Sequence, residues 1–185
     1  MSVAAANLRL SYQDFLDFPE DGRRHEIVLG EHWVTPAPNR RHQQTSMTLS
    51  FWLRGFIEHH PLGHVYAAPF DVILSDEDIV EPDLVFISRE RLAILCDEGA
   101  RGAPDLVIEI LSDSTRRRDW QAKRRLYADY GVVEYWLVDP EAERVTVFRP
   151  PGDVKPVADL SREAGEVLTT PLLPGFELPL AKLFT

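Results

Sequence analysis

The run Leu106-Val107-Ile108-Glu109-Ile110-Leu111 constrains this chain more than any other stretch. It reads as a buried strand with a carboxylate in its middle. A buried, unpaired carboxylate is costly, so such a group shifts its pKa, finds a cation or binds a metal. Pro104-Asp105 opens the strand, and Ser112, Ser114 and Thr115 follow as candidate helix caps. The spacing predicts a helix over 116–130, closed by Gly131. On it Trp120, Lys123, Tyr127 and Tyr130 fall at i, i+3, i+7 and i+10, one face of an α-helix. That phase turns Trp120 and Tyr127 toward the sheet and carries Lys123 inward, where it needs an anion. The plainer alternative is a lysine stem that snorkels along apolar surface to water.

The flanking chain frames this unit. Ser11 to Asp14 is a capping-box pattern, predicting a short helix to about Phe18 that stops at Pro19. His25 to Leu29 and His32 to Thr35 read as a hairpin turned at Gly30-Glu31. Leu49, Trp52, Leu53, Phe56 and Ile57 give residues 42–59 a helical period. Val65 to Leu74 is one bent strand or two short ones, followed by an acidic turn over 75–78. Residues 81–87 form a strand that opens on Pro82-Asp83. Arg89 to Cys96 reads as a short helix, and 97–102 as a loop. Val133 to Val138 is a strand, and the alternation in Arg144 to Arg149 predicts a half-exposed one. A proline-rich loop over 150–156 precedes a closing segment with a final helical turn at 180–184. The order predicts an α/β or α+β fold, a central mixed β-sheet flanked by helices with an N-terminal hairpin. At 185 residues, with 44% apolar and 27% charged residues, one domain over 1–185 is the default.

On the strand after the acidic turn, Asp83, Val85 and Ile87 share a face; on the next, Asp105, Val107, Glu109 and Leu111 do. If the two strands are neighbours, Asp83 and Glu109 converge on one side of the sheet. Two carboxylates that close repel each other unless a cation lies between them. Hard oxygen ligands suit Mg²⁺ or Mn²⁺. Singly, Asp83 reads as a strand-start cap, Glu109 as half of a salt bridge and Glu26 as an exposed hairpin position. Asp119 is four residues from Lys123, a helical i,i+4 partner. Asp105 reads as structural from its strand-start position. His42 is either a cap or a substrate-side contact.

Other chemistries find no support. The six histidines make no metal motif, and P-loop and dinucleotide signatures are absent. Cys96 is the single cysteine, so no intramolecular disulfide forms. No apolar run reaches a membrane span, and residues 1–10 lack the pattern of a signal peptide, which together predict a cytoplasmic protein. The net charge of −10 argues against a generally DNA-binding surface and leaves one local basic cluster, Arg116 to Arg118 with Lys123 to Arg125.

Pro82-Asp83, Glu109 to Ser112, Asp119, Lys123, Gly131-Val132 and Glu134-Tyr135-Trp136-Leu137-Val138-Asp139-Pro140, taken in order, resemble the Uma-type proteins. These are classed as endonucleases of the PD-(D/E)XK restriction-endonuclease-like superfamily. The likeness extends to His25 through Glu31 and to Leu173 through Phe176, and so covers most of the chain. It implies a Mg²⁺-dependent phosphodiesterase site acting on nucleic acid, most readily DNA. On it Asp83 matches the Pro-Asp aspartate and Glu109 the (D/E) position, and the Ile110 carbonyl completes the metal shell. Leu111 stands where the superfamily has lysine, and Lys123 on the next helix matches the relocated one. Glu26 matches an extra acidic residue from the N-terminal part of the fold. Many nucleases of this fold pair to cut two strands, which implies a homodimer by analogy. The competing expectation keeps the fold without the chemistry, a catalytically inactive module that binds protein or nucleic acid.

Overall fold

The computed structural model describes residues 9–112, 119–150 and 155–185, the Asp119 side chain excepted. The predicted caps Ser114 and Thr115, the Arg116–Arg118 cluster and the Asp119–Lys123 pairing lie outside what is described.

Helix α1 (Tyr12–Phe15) forms on the predicted capping box: the Ser11 N–H donates to Asp14 Oδ2 at 2.8 Å. Strands β1 (Arg24–Val28) and β2 (Glu31–Thr35) make the hairpin. Its two-residue turn is Leu29-Gly30, one position earlier than predicted, with φ of 54° and 76°. Two consecutive positive φ values define the turn whose twist matches a hairpin, and only the second position carries a glycine. Asp78 holds this turn, its Oδ1 accepting the Leu29 N–H at 2.6 Å.

Helix α2 (Arg40–His59) is capped by Asn39, whose Oδ1 accepts from the His42 backbone N–H at 2.9 Å. Strands β3 (Gly63–Ala67) and β4 (Asp71–Ser75) follow as two separate strands in two different sheets. Then come β5 (Asp78–Val80), β6 (Leu84–Ser88), a 3₁₀ segment (Arg89–Ile94), β7 (Gly99–Arg101) and β8 (Leu106–Ile110). A π-helical turn (Asp119–Lys123) runs directly into α3 (Arg124–Asp129). Strands β9 (Glu134–Asp139), β10 (Arg144–Phe148), β11 (Ala158–Ser161), β12 (Val167–Leu168) and β13 (Leu178–Pro179) lead to the final turn α4 (Leu180–Leu183).

Two large sheets result. The central one has order β11-β10-β9-β8-β6-β3 and is mixed: β8 runs parallel to β9 and antiparallel to β6. The second has order β2-β1-β5-β4-β7. One face of the central sheet, carrying Leu84, Phe86, Leu106, Ile108, Ile110 and Trp136, packs on Leu49 and Leu53 of α2 and on the C-terminal segment around Phe176. The opposite face, with Val85, Val107, Tyr135 and Leu137, packs on α3 through Leu126 and Tyr127, and on Val28, Val72 and Val80 of the second sheet. Leu84, Ile108 and Trp136 sit in register across three strands and are fully buried. An Ile108→Ala cavity there would cost about 2–5 kcal/mol.

Three details depart from the sequence expectations. β5 and β7 are three-residue strands: β5 follows the predicted acidic turn and takes in only its last residue, Asp78, while β7 lies where a loop was predicted. Each is held by pairing to β4, a contact with no local signature. β10 is buried rather than half-exposed, because Trp120 and Arg124 cover Phe148 while Asp159 of β11 accepts from Thr146. Among the described residues, no helix is long and apolar enough to cross a membrane.

Candidate active site

The site begins where a ladder ends. β6 starts at Leu84, paired with Ile108, so Glu109 and Ile110 run on beyond its first residue. Pro82 has no N–H to continue the pairing. Asp83 takes over instead: its Oδ2 accepts the Ile110 N–H at 2.7 Å, which pins the carboxylate against the strand carrying Glu109. Arg24 Nη2 donates to Asp83 Oδ1 at 2.9 Å, and His42 Nε2 lies 3.2 Å from Oδ2. Burial alone would raise the Asp83 pKa; the His42 and Arg24 contacts and the Ile110 N–H outweigh it and hold the group below the usual carboxylate range.

The second half of the site is the inner side of the helix after β8. Lys123 is 3% exposed, and its Nζ donates to Glu26 Oε1 at 2.7 Å and to Glu109 Oε1 at 2.9 Å. Tyr127, one turn on, donates its hydroxyl to Glu109 Oε1 at 2.8 Å. Burial and the adjacent Glu109 charge push that phenol well above its ordinary pKa, so it stays a donor. Tyr130 anchors the end of α3 by donating to Asp78 Oδ2 at 2.7 Å, tying the helix to the second sheet. The alternation of β1 turns Glu26 toward this cluster and Ile27 away, to the side packed by α1. Glu26 is 1% exposed, so the exposed-hairpin alternative is excluded, as is the snorkelling alternative for Lys123.

Trp120 is 39% exposed and meets the rim of the sheet at Phe148. The π-helical turn places about 4.4 residues per turn, so the α-helical phase that predicted an inward Trp120 does not hold through it. A single π turn inside a helix is a frequent companion of functional sites, and here it is the turn that delivers Lys123. Arg124 packs over the Phe148 ring and Arg125 is exposed, paired with Asp129.

Arg24, which carried no sequence signal, and His42, read from sequence as a cap or a substrate-side contact, complete the arrangement. Arg24 spans Glu81 and Asp83, its Nε 2.9 Å from Glu81 Oε1. Burial lowers the guanidinium pKa, but Asp83, Glu109 and Glu81 more than reverse this, so Arg24 is a fixed cation. Burial pushes the Glu81 carboxyl up to about 7; Arg24 opposes this, and Asp71 and Glu26 add to it. A Glu-Pro-Asp at a strand entrance, two acids one residue apart, was the available hint that a cation would be needed. His42 is not the helix cap, which is Asn39. Its ring reaches Asp83, and its Nδ1 is buried without a hydrogen-bond partner among the described residues.

Asp83, Glu109, Ile110, Lys123, Arg24 and His42 all line one open cleft of about 600 Å³. Glu26 lies behind it, joined through Lys123. Asp105 is elsewhere: its Oδ2 accepts the Ser88 N–H at 2.7 Å and its carbonyl accepts from Val133 and Glu134. It secures the start of β8 and β9, the structural part predicted for it.

The donor set suits a hard divalent cation. Counting lone pairs, Asp83 Oδ2 accepts two bonds and Oδ1 one, which leaves a position on Oδ1. Glu109 and the Ile110 carbonyl on the adjoining strand supply further oxygen. Among the described residues no group of three or more His, Cys, Asp or Glu side chains could hold a metal. The set is therefore two carboxylates and a carbonyl, which is the sparse ligation Mg²⁺ accepts while keeping several waters.

No curated protein matches this chain. Among solved structures it is similar to "a putative nuclease belonging to DUF820" from Anabaena variabilis ATCC 29413, with a TM-score of 0.80 and 19% identity over 95% of this chain and 97% of that one. That likeness is one of fold, and it agrees with the mixed sheet and flanking helices predicted from sequence. The model of the Uma2 family, described as "Putative restriction endonuclease", matches residues 12–181, so the chain belongs to the Uma2 family that its motifs resemble.

Proposed function

We propose that this protein is a metal-dependent endonuclease that hydrolyses phosphodiester bonds of nucleic acid, with DNA as substrate, from one restriction-endonuclease-like domain in the cytoplasm. One observation carries the reading. A buried lysine bridges two buried carboxylates, Glu26 and Glu109, at the wall of a cleft whose adjoining strand end presents Asp83. Burying that many charges stabilises a fold poorly compared with apolar packing, so a purely structural account leaves the cluster unexplained.

Mg²⁺ or Mn²⁺ held by Asp83, Glu109 and the Ile110 carbonyl would polarise a phosphodiester oxygen and lower the pKa of a bound water. The chain's own groups do the rest. Arg24, His42 and the Ile110 N–H orient Asp83, so its carboxylate needs no rearrangement when a ligand arrives. Lys123, fixed by Glu26, places a positive charge beside the phosphate oxygens on which charge develops, and a preorganised charge is worth more in a partly buried site than in water. Arg23 on the cleft wall, and Arg125 outside it, give sequence-independent contacts to the nucleic-acid backbone. The family description supports the nuclease reading; the net charge of −10 is what the inactive-module reading has in its favour.

Cleavage assays on single- and double-stranded DNA and on RNA, with Mg²⁺ or Mn²⁺ and with EDTA, test the proposal. Metal-dependent cleavage that Asp83→Ala and Glu109→Ala each abolish is expected. No cleavage of any form, or cleavage that survives both substitutions, overturns it.

A further inference from the structure

Helix α2 carries a solvent-facing stripe that the cleft does not use. Met47 and Phe51 are 71% and 74% exposed, more than any other large apolar side chain among the described residues. They lie four residues apart, on the helix side away from Leu49 and Leu53. At 100° per residue, Arg40, Gln44, Met47, Phe51, Arg54 and Glu58 fall within about 40° of one line along the helix. All six are exposed.

The order along this line, Arg-Gln-Met-Phe-Arg-Glu, is complementary to itself when reversed. Turned antiparallel about a two-fold axis near Leu49, Arg40 meets Glu58 of a second copy, Gln44 meets Arg54, and Met47 meets Phe51. Every contact then occurs twice, as a two-fold interface requires. We propose that α2 is the self-association surface of this protein and that its partner is a second copy of the chain, packed antiparallel through this stripe.

The chemistry selects that occupant. An apolar pair at the centre with unlike charges at the two ends suits a helix of the same sequence. A polyanion would meet Glu58 at one end of the stripe. A 20-residue helix is about 30 Å long and about 10 Å wide. It covers roughly 300 Å² per partner, below the roughly 800 Å² of a standard interface. The dimer is therefore weak and concentration-dependent, with a dissociation constant in the micromolar range or above. The inference is independent of catalysis. Gln43 and Ser46, on the flank of the stripe, line the cleft, so pairing sets the two clefts on the same side of the contact.

Sedimentation of the full chain from about 1 to 500 µM tests this. The wild type should shift from monomer to dimer across that range, and Phe51→Asp should stay monomeric throughout with an unchanged circular dichroism spectrum. Arg40→Glu and Glu58→Arg should each weaken the dimer by between about twofold and 30-fold, since symmetry removes two exposed ion pairs at once. The double variant Arg40→Glu/Glu58→Arg should restore it to near the wild-type constant. Three results would overturn the proposal. One is a monomer at every concentration. Another is a dimer insensitive to Phe51→Asp. The third is Phe51→Asp abolishing oligonucleotide binding while leaving the dimer intact, which would assign the stripe to nucleic acid.

Discussion

Replacing Lys123 by methionine removes the one cation shown bridging Glu26 and Glu109 while keeping the length and apolar stem of the side chain. Its Nζ lies 2.7 Å and 2.9 Å from the two carboxylates, and all three groups are at most 3% exposed. Removing one partner of a buried ion pair costs about 3–5 kcal/mol, because the opposite charge is stranded. For a domain of this size that lowers Tm by about 6–20 °C in thermal unfolding followed by circular dichroism. The triple variant Glu26→Gln/Glu109→Gln/Lys123→Met should recover most of the loss, since the two amides still accept from the Glu81 N–H and the Tyr127 hydroxyl. An unchanged Tm in Lys123→Met, or a triple variant no more stable than the single one, would refute the reasoning.

Two further outcomes follow from the same cluster. Tyr127→Phe deletes a 2.8 Å bond to Glu109 in a fully buried setting and should cost about 1.5–3 kcal/mol in denaturant unfolding; a loss under 0.5 kcal/mol would mean that the hydroxyl does not hold that carboxylate. Glu81 has a folded-state pKa of about 7 against an ordinary 4.5. Its contribution to stability is thus intact below pH 4.5 and is lost as pH rises through 7. The Tm of Glu81→Gln relative to wild type should therefore rise between pH 5 and pH 8, and a difference that is flat or falls with pH would contradict the assignment.

Much of this architecture was legible in the sequence, and the illegible parts share a cause. Glu109 announced itself as a charge inside an apolar run, and Asp83 as an acid at the mouth of a neighbouring strand. Lys123 emerged from helical phase, although that phase was drawn for an α-helix and misplaced Trp120, because the turn is π-helical. The conclusion survived because Tyr127 and Lys123 lie at its α-helical end. Arg24 and Glu81 were missed as partners of the site, whereas His42 read from sequence as a cap or a substrate-side contact, and the second of these places it at the cleft. Arg24 and His42 reach Asp83 from distant elements, Arg24 across 59 residues, and such convergence has no local periodicity. β5 and β7 escaped for the same reason: three residues cannot express a pattern, and both exist by pairing to β4.

The two Pro-Asp aspartates offer the most direct measurement. Asp83 and Asp105 are both buried, both follow a proline and both precede a strand of the central sheet. Only Asp83 lines the cleft, while Asp105 holds the Ser88 N–H. Single-turnover nucleic-acid cleavage should be measured for Asp83→Asn and Asp105→Asn, each rate normalised to the folded fraction. The account predicts that the Asp83→Asn rate falls by about a hundredfold or more, the scale of losing one electrostatic group from a hydrolytic site, while Asp105→Asn cleaves within about threefold of wild type. Equal losses in the two variants, or full activity in Asp83→Asn, would contradict it.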